Sequence, residues 1–260
     1  MVTQSNNAQT AIADLICGTV VDPSLCTDLD HIGYVGRLRT DVTELHSFIK
    51  SAAMGTESLP ASAVFPFLSR KFLELSLTSM LARVDPMRVL AARKNQLDDS
   101  YEPGQKNFSS ISWLGDIYPS KKPPTGNIWD SSHLKDGPER SLLGWHIGEA
   151  AISPGLRWLT DKGDGSSRWL NELSKVDKPL EWIKGHLARM YSAFSKGIHA
   201  EYLLDDHTAF DKYAITQYMH DCYMSICLLA ASTHASPLFA RSLPPLEALK
   251  ILLQIERELN

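Results

Sequence analysis

The residues of this 260-residue chain best suited to chemistry lie near the end of its longest helical pattern, Pro179 to Leu204. With helical residues about 100° apart, Ser192, Ser195 and His199 line one border of an apolar arc. Arg189 and Lys196 fall on the opposite face. An imidazole at such a border is partly desolvated and still reachable, a setting in which it can be tuned for acid–base work. His199 is thus the candidate acid or base, with Arg189 or Lys196 to stabilise phosphorane-like charge and Ser195 to orient the imidazole. The same residues also suit the plain edge of a packed helix.

The pattern Tyr-Ser-x-x-Ser-x-x-x-His-x-Glu, here Tyr191 to Glu201, resembles a signature of HEPN-like bacterial proteins. A vaguer likeness runs from Phe72 to Pro86. Those proteins are helical-bundle domains common in toxin–antitoxin and phage-defence loci. Active members are similar to one another in being metal-independent ribonucleases with an Arg-x(4–6)-His motif, usually completed across a dimer. The resemblance therefore implies RNA as substrate, no metal or cofactor, and a homodimer or an antitoxin or defence-system partner protein. The Arg–His spacing itself is met by Arg39 with His46 and by Arg140 with His146. Arg140 and His146 form the reserve pair, because Leu142, Leu143 and Ile147 suit a helix that would carry both.

Other chemistries lack their residues. His199-Ala200-Glu201 has the H-x-E of zinc deaminases without the Pro-Cys-x-x-Cys that completes the site. His220 and Cys222 would point apart on a helix and could not share a metal. No H-E-x-x-H, G-x-S-x-G or Walker A occurs, and no Asp or Glu is followed two residues on by Lys, as one metal-dependent nuclease core requires. Gly33-Tyr34-Val35-Gly36 with Arg37 and Arg39 could form a phosphate loop, but a turn is the better reading. Arg83, Arg88 and Arg93, with Lys94, make a basic cluster suited to a solvated face or to a phosphate backbone.

The elements that position these residues read as helices, and the predicted fold is an all-α bundle in a single domain. Thr40 or Asp41 should cap a helix to about Met54 that carries Phe48 in its apolar face. Its partner should begin near Pro66, with Phe67 inward, and run through Arg83. Asp85-Pro86 should open a third, ending near Gln96. Residues 97–138 lose the pattern, and their Pro, Gly and aromatic content predicts an irregular insertion packed on the bundle. Helices follow over Glu139–Ile152, from Ser153-Pro154, from Ser166 or Ser167 to Lys175, from about Thr208 to Thr233, and from Leu246. Residues 1–10 read as a mobile polar tail.

A net charge of −4 and a pI near 6.1 argue against general nucleic-acid electrostatics and leave any RNA contact to a local patch. The four cysteines contain no C-x-x-C, the first residues form no secretory signal, and Met224 to Ala231 is too short to span a bilayer. Reduced thiols in a cytoplasm are the simplest account. Two functional classes follow. One is a metal-independent ribonuclease, and the other is a non-catalytic helical interaction or regulatory subunit of a larger complex, which the acidic pI favours.

Overall fold

A computed structural model of the chain describes residues 11–20, 29–53, 61–102, 110–119, 140–163, 165–198 and 212–259. Helix α1 (11–17) inserts Ile12, Leu15, Ile16 and Cys17 into the core. It is followed by α2 (Leu29–Ala53), α3 (Ala61–Val84), α4 (Pro86–Gln96), α5 (Ser153–Lys162) and α6 (Arg168–Leu173). Then come α7 (Pro179–Ile198), α8 (Lys212–His234) and α9 (Pro245–Leu259). No strand occurs among the described residues, and the fold is all-α.

The bundle is built around α8, which packs on α3, α5, α7 and α9. Residues 222–233 of α8 are buried on every side, and this is why Met224 to Ala231 reads as an unbroken apolar run. No helix among the described residues is long and apolar enough to cross a membrane. Gly155 of α5 lets two backbones touch, since a Cβ there would lie 2.1 Å from the Ser232 carbonyl oxygen. At the far end, buried Glu256 of α9 accepts the Trp169 backbone N–H at 3.2 Å. Its carboxylate meets an amide in the first turn of α6, where a negative charge is stabilised by unpaired N–H groups.

Local chemistry sets several boundaries as the sequence predicts. The Asp85 side chain accepts the Arg88 N–H and Pro86 follows in the first turn, so α4 starts there and ends at Gln96. Ser167 caps α6 by accepting the Leu170 N–H at 3.0 Å. Pro179 opens α7. Cys222 and Cys227 are core residues.

Elsewhere the fold departs from expectation. Helix α2 begins at Leu29, so Gly33 to Gly36 is helical and neither a turn nor a phosphate loop. Burial of Tyr34 and Val35 outweighs the roughly 1 kcal/mol that each helical glycine costs. Thr40 does not cap; its hydroxyl donates to the Gly36 carbonyl one turn back. Helix α3 begins at Ala61 and takes Pro66 inside, in its second turn, where the ring removes one backbone donor. Phe48 and Phe67, expected in the core, are half exposed.

The predicted helix Glu139–Ile152 is also corrected. Leu142 and Leu143 donate their N–H groups to the Asp116 and Ile117 carbonyls, which removes them from any helical ladder. A π-helical segment, Trp145–Ile152, starts only after that and runs straight into α5. Of the insertion, 97–102 and 110–119 are described, and its packing on the bundle is made by the second stretch. There Trp113–Ile117 forms one wide turn closed by the Tyr118 N–H on the Trp113 carbonyl at 2.7 Å, and Gly115 supplies the φ of +103° that the turn needs.

Candidate functional site

Helix α7 holds the site because its apolar residues Leu180, Ile183, Leu187, Met190 and Phe194 are buried against α3 and α8. That packing turns Arg189, Ser192 and Lys196 to solvent. Arg189 and Lys196 are seven residues apart, so about 10 Å separates them along the axis at 1.5 Å per residue. Neither makes an ion pair or hydrogen bond to another described residue. Together with Ser192 they form one exposed polar edge. His199, proposed as the acid or base, and Glu201 lie outside the described residues.

Ser195 is committed elsewhere. Its hydroxyl donates to the Tyr191 carbonyl at 2.7 Å, so toward an imidazole it keeps only acceptor capacity. Tyr191 is the best-anchored residue of the segment. Its ring stacks on Trp113 of the insertion at 4.1 Å with the planes 8° apart, and its hydroxyl accepts from Arg70 Nη2 at 2.8 Å. The Arg70 guanidinium also lies 4.6 Å from the Tyr191 ring centre. Trp113 stacks further on Tyr118, whose face meets the Lys184 ammonium at 5.7 Å. These aromatic faces are thus used to fix the insertion to α7 and α3, in a run of stacked rings with a cation against each outer tyrosine.

The basic cluster expected from the sequence is dispersed. Arg83 is only 1 % exposed and belongs to no surface, which corrects its assignment to a solvated or phosphate-binding face. Its side chain donates to the Ala240 carbonyl (3.0 Å), Thr233 Oγ1 (2.7 Å), Ser242 Oγ (3.1 Å) and His234 Nδ1 (3.3 Å). Burial, together with repulsion from Arg241, lowers its pKa to about 9. Arg88 is tied to Asp85 at 3.1 Å and to Asp116 at 3.3 Å, joining α4 to the insertion. Arg93 is half-buried.

The reserve pair does not share a helix. Arg140 is half exposed and reaches Asp85 at 3.8 Å, whereas His146 sits half-buried in the π-helical segment. His46, the other histidine with the Arg–His spacing, is buried against the Tyr223 hydroxyl at 3.1 Å. Its would-be partner Arg39 instead pairs with Asp14.

Sequence reasoning missed a cluster beside Arg189. The indole of Trp169 lies 5.7 Å from the His186 ring and 5.8 Å from the His220 ring, and Trp182 meets His186 at 4.0 Å, nearly edge-on. His186 Nδ1 and His220 Nε2 are buried without hydrogen-bond partners among the described residues. Burial and then Arg189 hold the His186 pKa below its ordinary value, so a neutral imidazole stands one turn from the exposed cation. The Trp182–His186 spacing of four was the available signal, but the contribution of Trp169 from α6 has none. No group of histidines, cysteines and carboxylates able to hold a metal occurs among the described residues. The chain matches no protein-family model, no curated protein and no solved structure.

Proposed function

We propose that the protein is a HEPN-like helical endoribonuclease of a bacterial defence or toxin system that cleaves RNA without a metal along the exposed edge of α7. One observation carries this reading. Arg83, Arg88 and Arg140 are engaged by the protein's own groups, whereas Arg189 and Lys196 face solvent on one helix with no partner among the described residues. Cations so placed can hold successive backbone phosphates and stabilise the charge that builds on phosphorus during transfer. His199, four residues after Ser195 in the sequence, supplies the acid or base in this reading.

The test is incubation of labelled single-stranded RNA and tRNA in EDTA with the protein and with His199→Ala. Cleavage that persists in EDTA and disappears in a variant of unchanged melting temperature is the expected result. No cleavage at high protein concentration would shift the assignment to a second reading, a non-catalytic interaction subunit. Phe48 and Phe67 favour that alternative, because they are 51 % and 55 % exposed on the packed pair α2 and α3.

A further inference from the structure

The line of α7 that carries Arg189 and Lys196 continues toward the start of the helix through two aromatic side chains. With helical residues about 100° apart, Trp182, His186, Arg189 and Lys196 fall within an arc of about 80°. At 1.5 Å per residue, His186 precedes Arg189 by about 4.5 Å along the axis. Gly185 lies on the outer side of this stretch, three residues after Trp182 and four before Arg189. It is exposed, and a Cβ on it would meet nothing within 4 Å. A mid-helix glycine weakens a helix relative to alanine, and here it leaves the ground between indole and guanidinium bare.

The two nitrogens of His186 differ. Nδ1 is buried without a hydrogen-bond partner among the described residues, with the Trp182 ring at 4.0 Å and the Trp169 ring at 5.7 Å from the imidazole. Among indoles an N–H can still find a π face, whereas a lone pair finds no donor, so Nδ1 holds the ring proton. Nε2 then carries the lone pair. It too makes no hydrogen bond to a described residue, but unlike Nδ1 it is not sealed from solvent. Burial first, and Arg189 second, keep the ring neutral at pH 7 against the smaller opposing effects of Asp221 and Glu172.

We propose that this end of the α7 edge is a nucleobase subsite, in which an unpaired base lies over Gly185 and donates an N–H to His186 Nε2 while Arg189 holds the adjoining phosphate. Each base offers such a donor, as an exocyclic amine or a ring N–H. The base must be unpaired, because in an A-form duplex those groups are taken up in pairing. The subsite rests on the ribonuclease reading for its ligand, but it concerns binding and not the chemical step.

The experiment compares equilibrium binding of the full chain to a 2′-O-methyl oligoadenylate and to an abasic strand with as many phosphates and no 2′-hydroxyl, across a salt series. Neither strand can be cleaved. The wild type should bind the adenylate at least about fivefold tighter, from one hydrogen bond and partial stacking. His186→Phe keeps an aromatic ring against the indoles and removes the acceptor, so the adenylate advantage should fall below about twofold while the salt slope, set by phosphate contacts, stays unchanged. That result decides the matter where the variant folds. Where it does not, Gly185→Leu decides alone, because its side chain enters open space, covers the subsite and should abolish the same advantage. Equal wild-type affinity for the two strands, or an advantage that the deciding variant leaves intact, overturns the proposal and leaves the ribonuclease reading standing. No binding of either strand at low salt overturns both. Base-dependent binding lost in the variant, without cleavage of RNA in EDTA, upholds the subsite and overturns only the ribonuclease reading.

Discussion

Acidification should destabilise this protein through His234, and the size of the effect follows from the contacts of one ring. The Leu243 N–H donates to His234 Nδ1 at 2.9 Å, so that nitrogen must carry no proton, while Nε2 donates to the Leu15 carbonyl at 2.8 Å. A proton on Nδ1 would break the Leu243 bond and add a second charge beside the Arg83 guanidinium. Burial first, and Arg83 second, lower the pKa to about 4 from 6.5. Because the folded value is the lower one, the unfolded chain takes up the proton first. Stability is therefore full above about pH 6.5 and drains as pH falls toward 4. At about 1.4 kcal/mol per unit, the loss is about 2 kcal/mol between pH 7 and pH 5 and about 3 kcal/mol once pH 4 is passed. His186 shifts in the same direction, so total stability alone does not isolate His234. Urea unfolding of the wild type and His234→Gln at several pH values does. The variant should cost about 1–2 kcal/mol at pH 7 for imperfect hydrogen bonds, and the wild-type advantage should shrink by about 2 kcal/mol by pH 5. A difference that stays constant across that range would refute the reasoning.

Three further outcomes follow from packing. Gly155→Ala should lower stability by at least about 2 kcal/mol, since the new methyl meets a backbone carbonyl that cannot rotate away; a melting temperature within a degree of the wild type would contradict the close approach. Trp113→Ala should cost about 2–3 kcal/mol and speed amide exchange in 110–119, because it removes the stacks on Tyr191 and Tyr118. Tyr191→Phe keeps those stacks and loses the Arg70 hydrogen bond, so thermal unfolding should show only about 1 kcal/mol of loss.

The sequence was most legible where a local signal and the core agreed. Pro179 and the three-to-four spacing of Leu180, Ile183 and Leu187 specify α7, and Asp85-Pro86 specifies α4, because caps and apolar faces are set within a few residues. It was least legible where distant groups intervene. Leu142 and Leu143 have helical neighbours, yet their amides pair with Asp116 and Ile117 across the insertion. Gly33 and Gly36 look like turn residues because the gain from burying Tyr34 and Val35 depends on partners far away in sequence. Arg83 seemed to belong with Arg88 and Arg93, but it ends α3 while they lie on α4, and the end of α8 and the chain after it surround its guanidinium. Of the site, the exposed Arg189 and Lys196 were readable from helical angles, whereas the anchoring of Tyr191 by Trp113 and Arg70 was not.

The α7 edge is tested most directly by the affinity of Arg189→Ala/Lys196→Ala for labelled single-stranded RNA across a salt series. Both side chains are exposed and unpaired among the described residues, so the melting temperature should not move. If the two cations hold backbone phosphates, affinity should fall at least about tenfold, and the log–log salt slope should shrink by about 1.4, or about 0.7 for each lost contact. Unchanged affinity and slope in a folded variant would contradict the account.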